Sequence, residues 1–255
     1  LFNAQQAAQA QRAPAVAQVA QATGVQTRGL RLVRRSAPAT QSVNSADLGL
    51  LPRLPDTADE VRNIALALNA DLSQDVFLGE KASEQTVKTM NLADRKVVVF
   101  ATHGLVPGDL NGLTQPALAL SAPSVTHNPD DGLLTMEDIL GLRLNADWVV
   151  LSACNTATGD GAGAEAVSGL GRAFFYAGAR ALLVSNWPVE TTSARLLTTD
   201  LFKRQAADPR LGRAEALRRA MLALIDGPGS QLFSYAHPIF WAPFSVVGED
   251  RTSTR

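Results

Sequence analysis

The chain has 255 residues, 46% of them hydrophobic, which is enough for one large or two small domains. Its net charge of −1 gives no electrostatic basis for binding nucleic acid or an anionic membrane, and no apolar run reaches the roughly 18 residues that a membrane-spanning helix needs. A single cysteine, Cys154, excludes an internal disulfide and fits a reducing, cytoplasmic setting.

Residues 1–46 stand apart from the rest. Leu1 to Ala22 is mostly Ala and Gln, Arg12, Arg28, Arg31, Arg34 and Arg35 follow through the segment, and no acid precedes Asp47. Acid-poor, Arg-bearing leaders occur on organelle-targeted chains. A linker or remnant of an upstream region is the preferred reading, because the sequence starts at Leu1 and not at a start methionine. The segment has too few large apolar residues to form a core element. The sheet that follows is therefore expected to keep an open edge, prone to pairing with another chain. The division is a linker over 1–46, a folded domain over 47–249 and a tail over 250–255.

Order is expected to begin at Leu51-Pro52-Arg53-Leu54-Pro55, a connector stiffened by proline. Thr57-Ala58-Asp59-Glu60 has the form of a capping box, with Val61, Ile64, Ala65 and Leu68 at helical spacing behind it. Val76-Phe77-Leu78 reads as a short strand, and Ser83 as the cap of a helix carrying Val87 and Met90. The run from Lys96 to Ala101 is a buried strand ending at His103-Gly104. A turn-rich stretch follows, with a short strand over 117–121 and a helix started by Thr135 and Asp138. A second buried strand lies in the stretch from Asp147 to Thr156, as an apolar run that ends in Cys154. After the Gly-rich loop around Asp160 comes a helix with Val167, Leu170, Phe174 and Ala177 on one face and Gly178 as its stop. A third buried strand, 180–185, runs into Asn186-Trp187-Pro188. Helices over 190–206 and 213–226 and a last strand ending at Val246-Val247 complete the chain. Strands alternating with helices predict an α/β fold with a mostly parallel sheet.

Two of these strands carry chemistry at their ends. If they are parallel neighbours, His103 and Cys154 share the carboxyl edge of one sheet, where sites form in open α/β folds. A thiol beside an imidazole is the minimum for an activated sulfur nucleophile. A lone cysteine is more often a small buried hydrophobe, but Cys154 follows a strand and precedes a Gly-rich loop, which favours access. His127, in a turn-rich loop, is expected to be solvated, and His237, before Pro238, to pack at a strand entry. The dispersed His and Cys residues show no zinc-site spacing. Ser152 is not in G-x-S-x-G, and neither nucleotide-binding glycine motif is present, so no metal or cofactor is expected. The two candidates are 51 positions apart, close to the spacing in caspases, although the caspase Q-A-C signature is absent.

Ala101-Thr102-His103-Gly104, Val150 to Thr156, Arg172 to Arg180, Ser185 to Val189, and His237-Pro238 with Phe240 to Phe244 and Val247-Gly248 together resemble a CHAT domain over about residues 50 to 249. The resemblance implies a three-layer caspase-like fold, a His/Cys peptidase, and a place beside tetratricopeptide repeats or a regulatory partner protein. It further implies His103 as base, Cys154 as nucleophile and the backbone N–H groups of Gly104 and Cys154 as oxyanion hole. Ser185, Asn186, Trp187 and Asp160 are the candidates for binding a protein or peptide substrate. The acidic pair that family members often carry after Trp-Pro-Val is here Glu190-Thr191. A catalytically silent scaffold or peptide-binding domain on the same fold is the rival reading.

Overall fold

The computed structural model describes residues 45–152, 162–187, 189–230 and 234–250. Cys154 and Asp160 lie outside the described residues.

After a 3-10 turn over Ser45–Leu50 comes α1 (Asp56–Ala67), then two short helices, α2 (Leu72–Asp75) and α3 (Glu84–Thr89). Strand β1 (Val97–Phe100) leads into β2 (Gly104–Leu105), β3 (Ala117–Ala119), helix α4 (Pro123–Thr126), β4 (Leu133–Thr135) and α5 (Met136–Leu140). Then follow β5 (Trp148–Leu151), α6 (Ala162–Ala177), β6 (Ala181–Ser185), α7 (Thr191–Ala207), α8 (Arg213–Ile225) and β7 (Phe244–Gly248).

The main sheet has the order β1-β5-β6-β7. β1 and β6 both run parallel to β5, and β7 runs antiparallel to β6. The β5 and β6 strands are buried along their whole length because helices cover both faces. Side chains alternate across the sheet. Val149, Leu151, Leu182 and Val184 pack with Phe100 and with Leu170 and Phe174 of α6. Trp148, Val150 and Leu183 pack on the other face with Ile64 of α1, Leu197, Leu201 and Phe202 of α7 and Leu217 of α8. Phe100 meets Phe174 at 5.6 Å between ring centroids, and Trp148 meets Phe202 edge-on at 5.9 Å. The result is the expected three-layer α/β fold with a mostly parallel sheet.

Gly178 ends α6 at φ +112°, and a Cβ there would sit 2.3 Å from the backbone oxygen of Leu144. Only glycine turns the chain this tightly from α6 into β6.

Four expectations need correction. Val76-Phe77-Leu78 is extended but pairs with no strand (ψ is 115° at Val76 and 151° at Leu78), so it is a covering segment and not part of a sheet. Thr57 and Glu60 do not form a capping box: Thr57 Oγ1 donates to Leu54 O at 2.7 Å, and Glu60 points into the interior. His237 is exposed and caps the 3-10 turn Pro238–Phe240, its Nδ1 accepting from Ile239 N at 3.2 Å, so it does not pack at a strand entry. The turn-rich stretch after His103 contains a second sheet, antiparallel, of order β2-β3-β4.

Among the described residues, β1 has β5 as its one neighbour, so its other side is an edge of the sheet. A groove of about 420 Å³ lies along it, lined by Ile64, Phe77, Val87, Val97, Val99 and Thr102 among others. No described helix is long and apolar enough to cross a membrane.

Candidate active site

The pairing of β1 with β5 sets the site. Val97 lies opposite Trp148 and Phe100 opposite Leu151, a constant offset of 51 positions. Both strands run the same way, so their carboxyl ends emerge together, and His103 follows Phe100 by three residues.

The β1 exit is held by one backbone bond and by two side chains that reach backbone carbonyls. His103 O accepts from Ala119 N at 2.9 Å. Thr102 Oγ1 donates to Ala119 O. The imidazole, 5% exposed, has Nε2 2.7 Å from Pro52 O. A carbonyl oxygen can only accept, so Nε2 carries the proton in this contact. In the neutral ring that leaves the lone pair on Nδ1. An imidazole fixed in that tautomer is oriented as a base through Nδ1.

The next residue, Gly104, lies opposite Leu118. The bond between Ala119 N and His103 O brackets that pair, which makes it the non-hydrogen-bonded type of antiparallel pair. The N–H of Gly104 is therefore directed away from β3, on the sequence neighbour of the imidazole.

The β5 exit is held by side chains. Ser152, 1% exposed, donates from Oγ to Glu60 Oε1 at 2.9 Å. Thr198 Oγ1 of α7 lies 3.0 Å from the same carboxylate oxygen and 2.9 Å from Ala194 O. Glu60 and Thr198 are fully buried. The sequence gives no local sign of this contact: Glu60 and Ser152 are 92 positions apart. A carboxylate at a core-facing position of α1 was the available signal, and the Thr57 pattern concealed it.

Ser185, the last residue of β6, is fully buried opposite Phe244. The Asn186 side-chain amide donates to Pro243 O and lies 2.9 Å from Ser245 Oγ, so this side chain is tied to the start of β7. Trp187 is 38% exposed just past the β6 carboxyl end. The three residues therefore step from core to surface. Among the described residues no group of three or more His, Cys, Asp or Glu side chains is placed to hold a metal.

A family model described as "CHAT domain" matches residues 1–249. The chain belongs to the CHAT domain family. This family is caspase-like in general, in keeping with the three-layer fold. A mouse relative, Tetratricopeptide repeat protein 28, is 33% identical over 122 residues, and its human counterpart is 34% identical over 118. Each alignment covers 46% of this CHAT chain and 4% of the relative, so the chain spans a small part of the length of these relatives.

Proposed function

We propose that this CHAT domain is a cysteine endopeptidase, with His103 as base and Cys154 as nucleophile. The observation that carries the reading is the register of β1 on β5. The offset between paired residues is 51, and the sequence separation of His103 and Cys154 is also 51. Each follows the last residue of its strand by three positions.

In this reading Nδ1 of His103 takes the thiol proton and the Cys154 thiolate attacks the scissile carbonyl. The amide nitrogen leaves with the proton returned by the imidazole, and water then hydrolyses the thioester to free the carboxylate product. The N–H groups of Gly104 and Cys154 stabilise the oxyanion, at about 3–4 kcal/mol per donor. The outward direction of the Gly104 N–H supports its part. Trp187 is the exposed wall of the substrate path beyond β6, Asn186 and the buried Ser185 support it from behind, and Asp160 contributes from the loop after Cys154. The substrate is an extended segment of protein, held partly by backbone pairing. The domain spans 47–249. A tetratricopeptide repeat region, in the same chain or a partner, is the regulatory element in this reading, and the names of the two relatives support the presence of such repeats.

The test is alkylation and labelling. Iodoacetamide near pH 6 is expected to modify Cys154 faster than a free thiol, and an electrophilic peptide to label it covalently. His103→Ala removes both effects. Equal rates in wild type and His103→Ala, with no peptide labelling, would overturn the peptidase reading and leave a silent scaffold.

A further inference from the structure

The mechanism does not use Glu60, yet it is among the most deeply placed charged side chains in the protein. It is fully buried on α1 and joins three elements: its own helix, the exit of β5 through Ser152, and α7 through Thr198. A buried carboxylate costs several kcal/mol to desolvate, roughly, unless hydrogen bonds satisfy it. Leu or Met would fill the same space without that cost. A carboxylate here therefore points to a task that an apolar side chain does not perform.

The neighbouring geometry indicates the task. The segment from Pro52 to Glu60 touches both strand exits. Pro52 O meets the His103 ring at 2.7 Å, and Glu60 Oε1, one turn into α1, meets Ser152 Oγ at 2.9 Å. Ser152 stands two positions before Cys154 in the chain. β5 ends at Leu151, and the side chain of the next residue, Ser152, is tied to Glu60. The same short stretch of chain thus meets the imidazole at one end and Ser152 at the other.

We infer that Glu60 is a positioning residue for the nucleophile: through Ser152 its carboxylate fixes the exit of β5, and through the Pro52–Glu60 segment it ties that exit to the strand that carries His103. The inference rests on the His103/Cys154 reading. The chemistry required is a hydrogen-bond acceptor at Oε1. A glutamine can supply one through its carbonyl oxygen; a leucine cannot.

Four variants test this by two readouts, the rate of iodoacetamide modification of Cys154 and hydrogen exchange over residues 149–156. Ser152→Ala and Glu60→Leu are expected to slow alkylation by about tenfold to a hundredfold, the range expected for misplacement of a reacting group by about 1 Å. Exchange over 149–156 rises in both and stays unchanged in peptides from α8. Glu60→Gln keeps alkylation within about threefold of wild type, as does Thr198→Val, which leaves the arm to Ser152 in place. Combining Ser152→Ala with Glu60→Leu adds little to either alone, because both break one contact. Glu60→Leu, if it does not fold, is replaced by the Ser152→Ala and Glu60→Gln pair, which decides the matter on its own. Wild-type exchange and alkylation in Ser152→Ala would overturn the inference, and so would a loss in Thr198→Val as large as in Ser152→Ala. If wild type and His103→Ala alkylate equally, the dyad reading fails, and the exchange data alone then judge the brace.

Discussion

The two strand exits that meet at the site are secured by different means. The β1 exit is joined to β3 by the backbone bond from Ala119 N to His103 O, and the Thr102 hydroxyl and His103 ring add bonds to the carbonyls of Ala119 and Pro52. At the β5 exit the Ser152 hydroxyl meets the Glu60 carboxylate, and these residues are 92 positions apart. Backbone bonding tolerates most substitutions nearby, because no side chain need be present to make it. A side-chain tie is lost with a single replacement, and the remaining partner is left buried and unsatisfied. The backbone bond thus keeps the His103 exit in place through nearby substitutions, and the Ser152 tie is where a single change in sequence has a large effect.

The largest effect that tests this contrast comes from removing the imidazole itself. His103→Ala is expected to reduce Cys154 alkylation near pH 6 by about a hundredfold, within the range of general-base contributions, with the melting temperature little changed. A large drop in melting temperature would mean that the β1 exit leans on the ring more than on its backbone bonds. Next in size, Glu60→Ala leaves two buried hydroxyls and a cavity, and is expected to cost about 3 kcal/mol in urea unfolding. A cost under about 1 kcal/mol would remove the asymmetry between the exits. Trp187→Ala, on the substrate side of β6, should lower kcat/KM for a cleaved peptide about tenfold while leaving the melting temperature nearly intact, since the ring is exposed. Thr102→Val deletes the hydroxyl bond to Ala119 O at the β1 exit and is expected to cost about 1 kcal/mol, with alkylation unchanged, because the His103–Ala119 backbone bond persists.

The smallest effect is a pH dependence behind the second sheet. Burial works to raise the Asp138 carboxyl, but hydrogen bonds from Lys88 and Thr135 outweigh it and hold the group below its ordinary value. The stabilisation is present above the unfolded value near 3.8 and is lost as pH falls through the lower folded value. Wild type should lose more stability than Asp138→Asn as pH falls through this window, by no more than about 1 kcal/mol in thermal melts, since the Lys88 side of the pair is partly exposed. Parallel curves would show that the α5 cap does not support the β4 side of the His103 exit.

Much of this could be read from the residues. The three parallel strands announce themselves as short apolar runs, and the pairing could be anticipated because two of the runs lead into the candidate site residues His103 and Cys154. The limits are instructive in a pair of similar patterns. Thr135 and Asp138 form a true capping box, with bonds in both directions. Thr57 and Glu60 show the same spacing, yet Glu60 turns inward because Ser152 and Thr198 lie on the core side of α1. Local spacing cannot distinguish the two cases, since the deciding partners come from distant chain. The second sheet was hidden for another reason: its strands are two or three residues long and set among turn formers. Pro52 could not be singled out at all, because its contribution is a carbonyl.

The parallel register has a bearing on which lengths of chain can vary. The chain between β1 and β5 leaves and re-enters the sheet, and its residue count does not enter into how Val97 faces Trp148. Additions in the turns around Gly108 or Asn128 should leave the sheet edge as it is. One residue added or removed within β1 or β5 would be different: it would slide one strand end by about 3.3 Å and turn every later side chain to the opposite face of the sheet. Length polymorphism among natural variants should therefore gather in the turns around Gly108 and Asn128 and be missing from the two short strands.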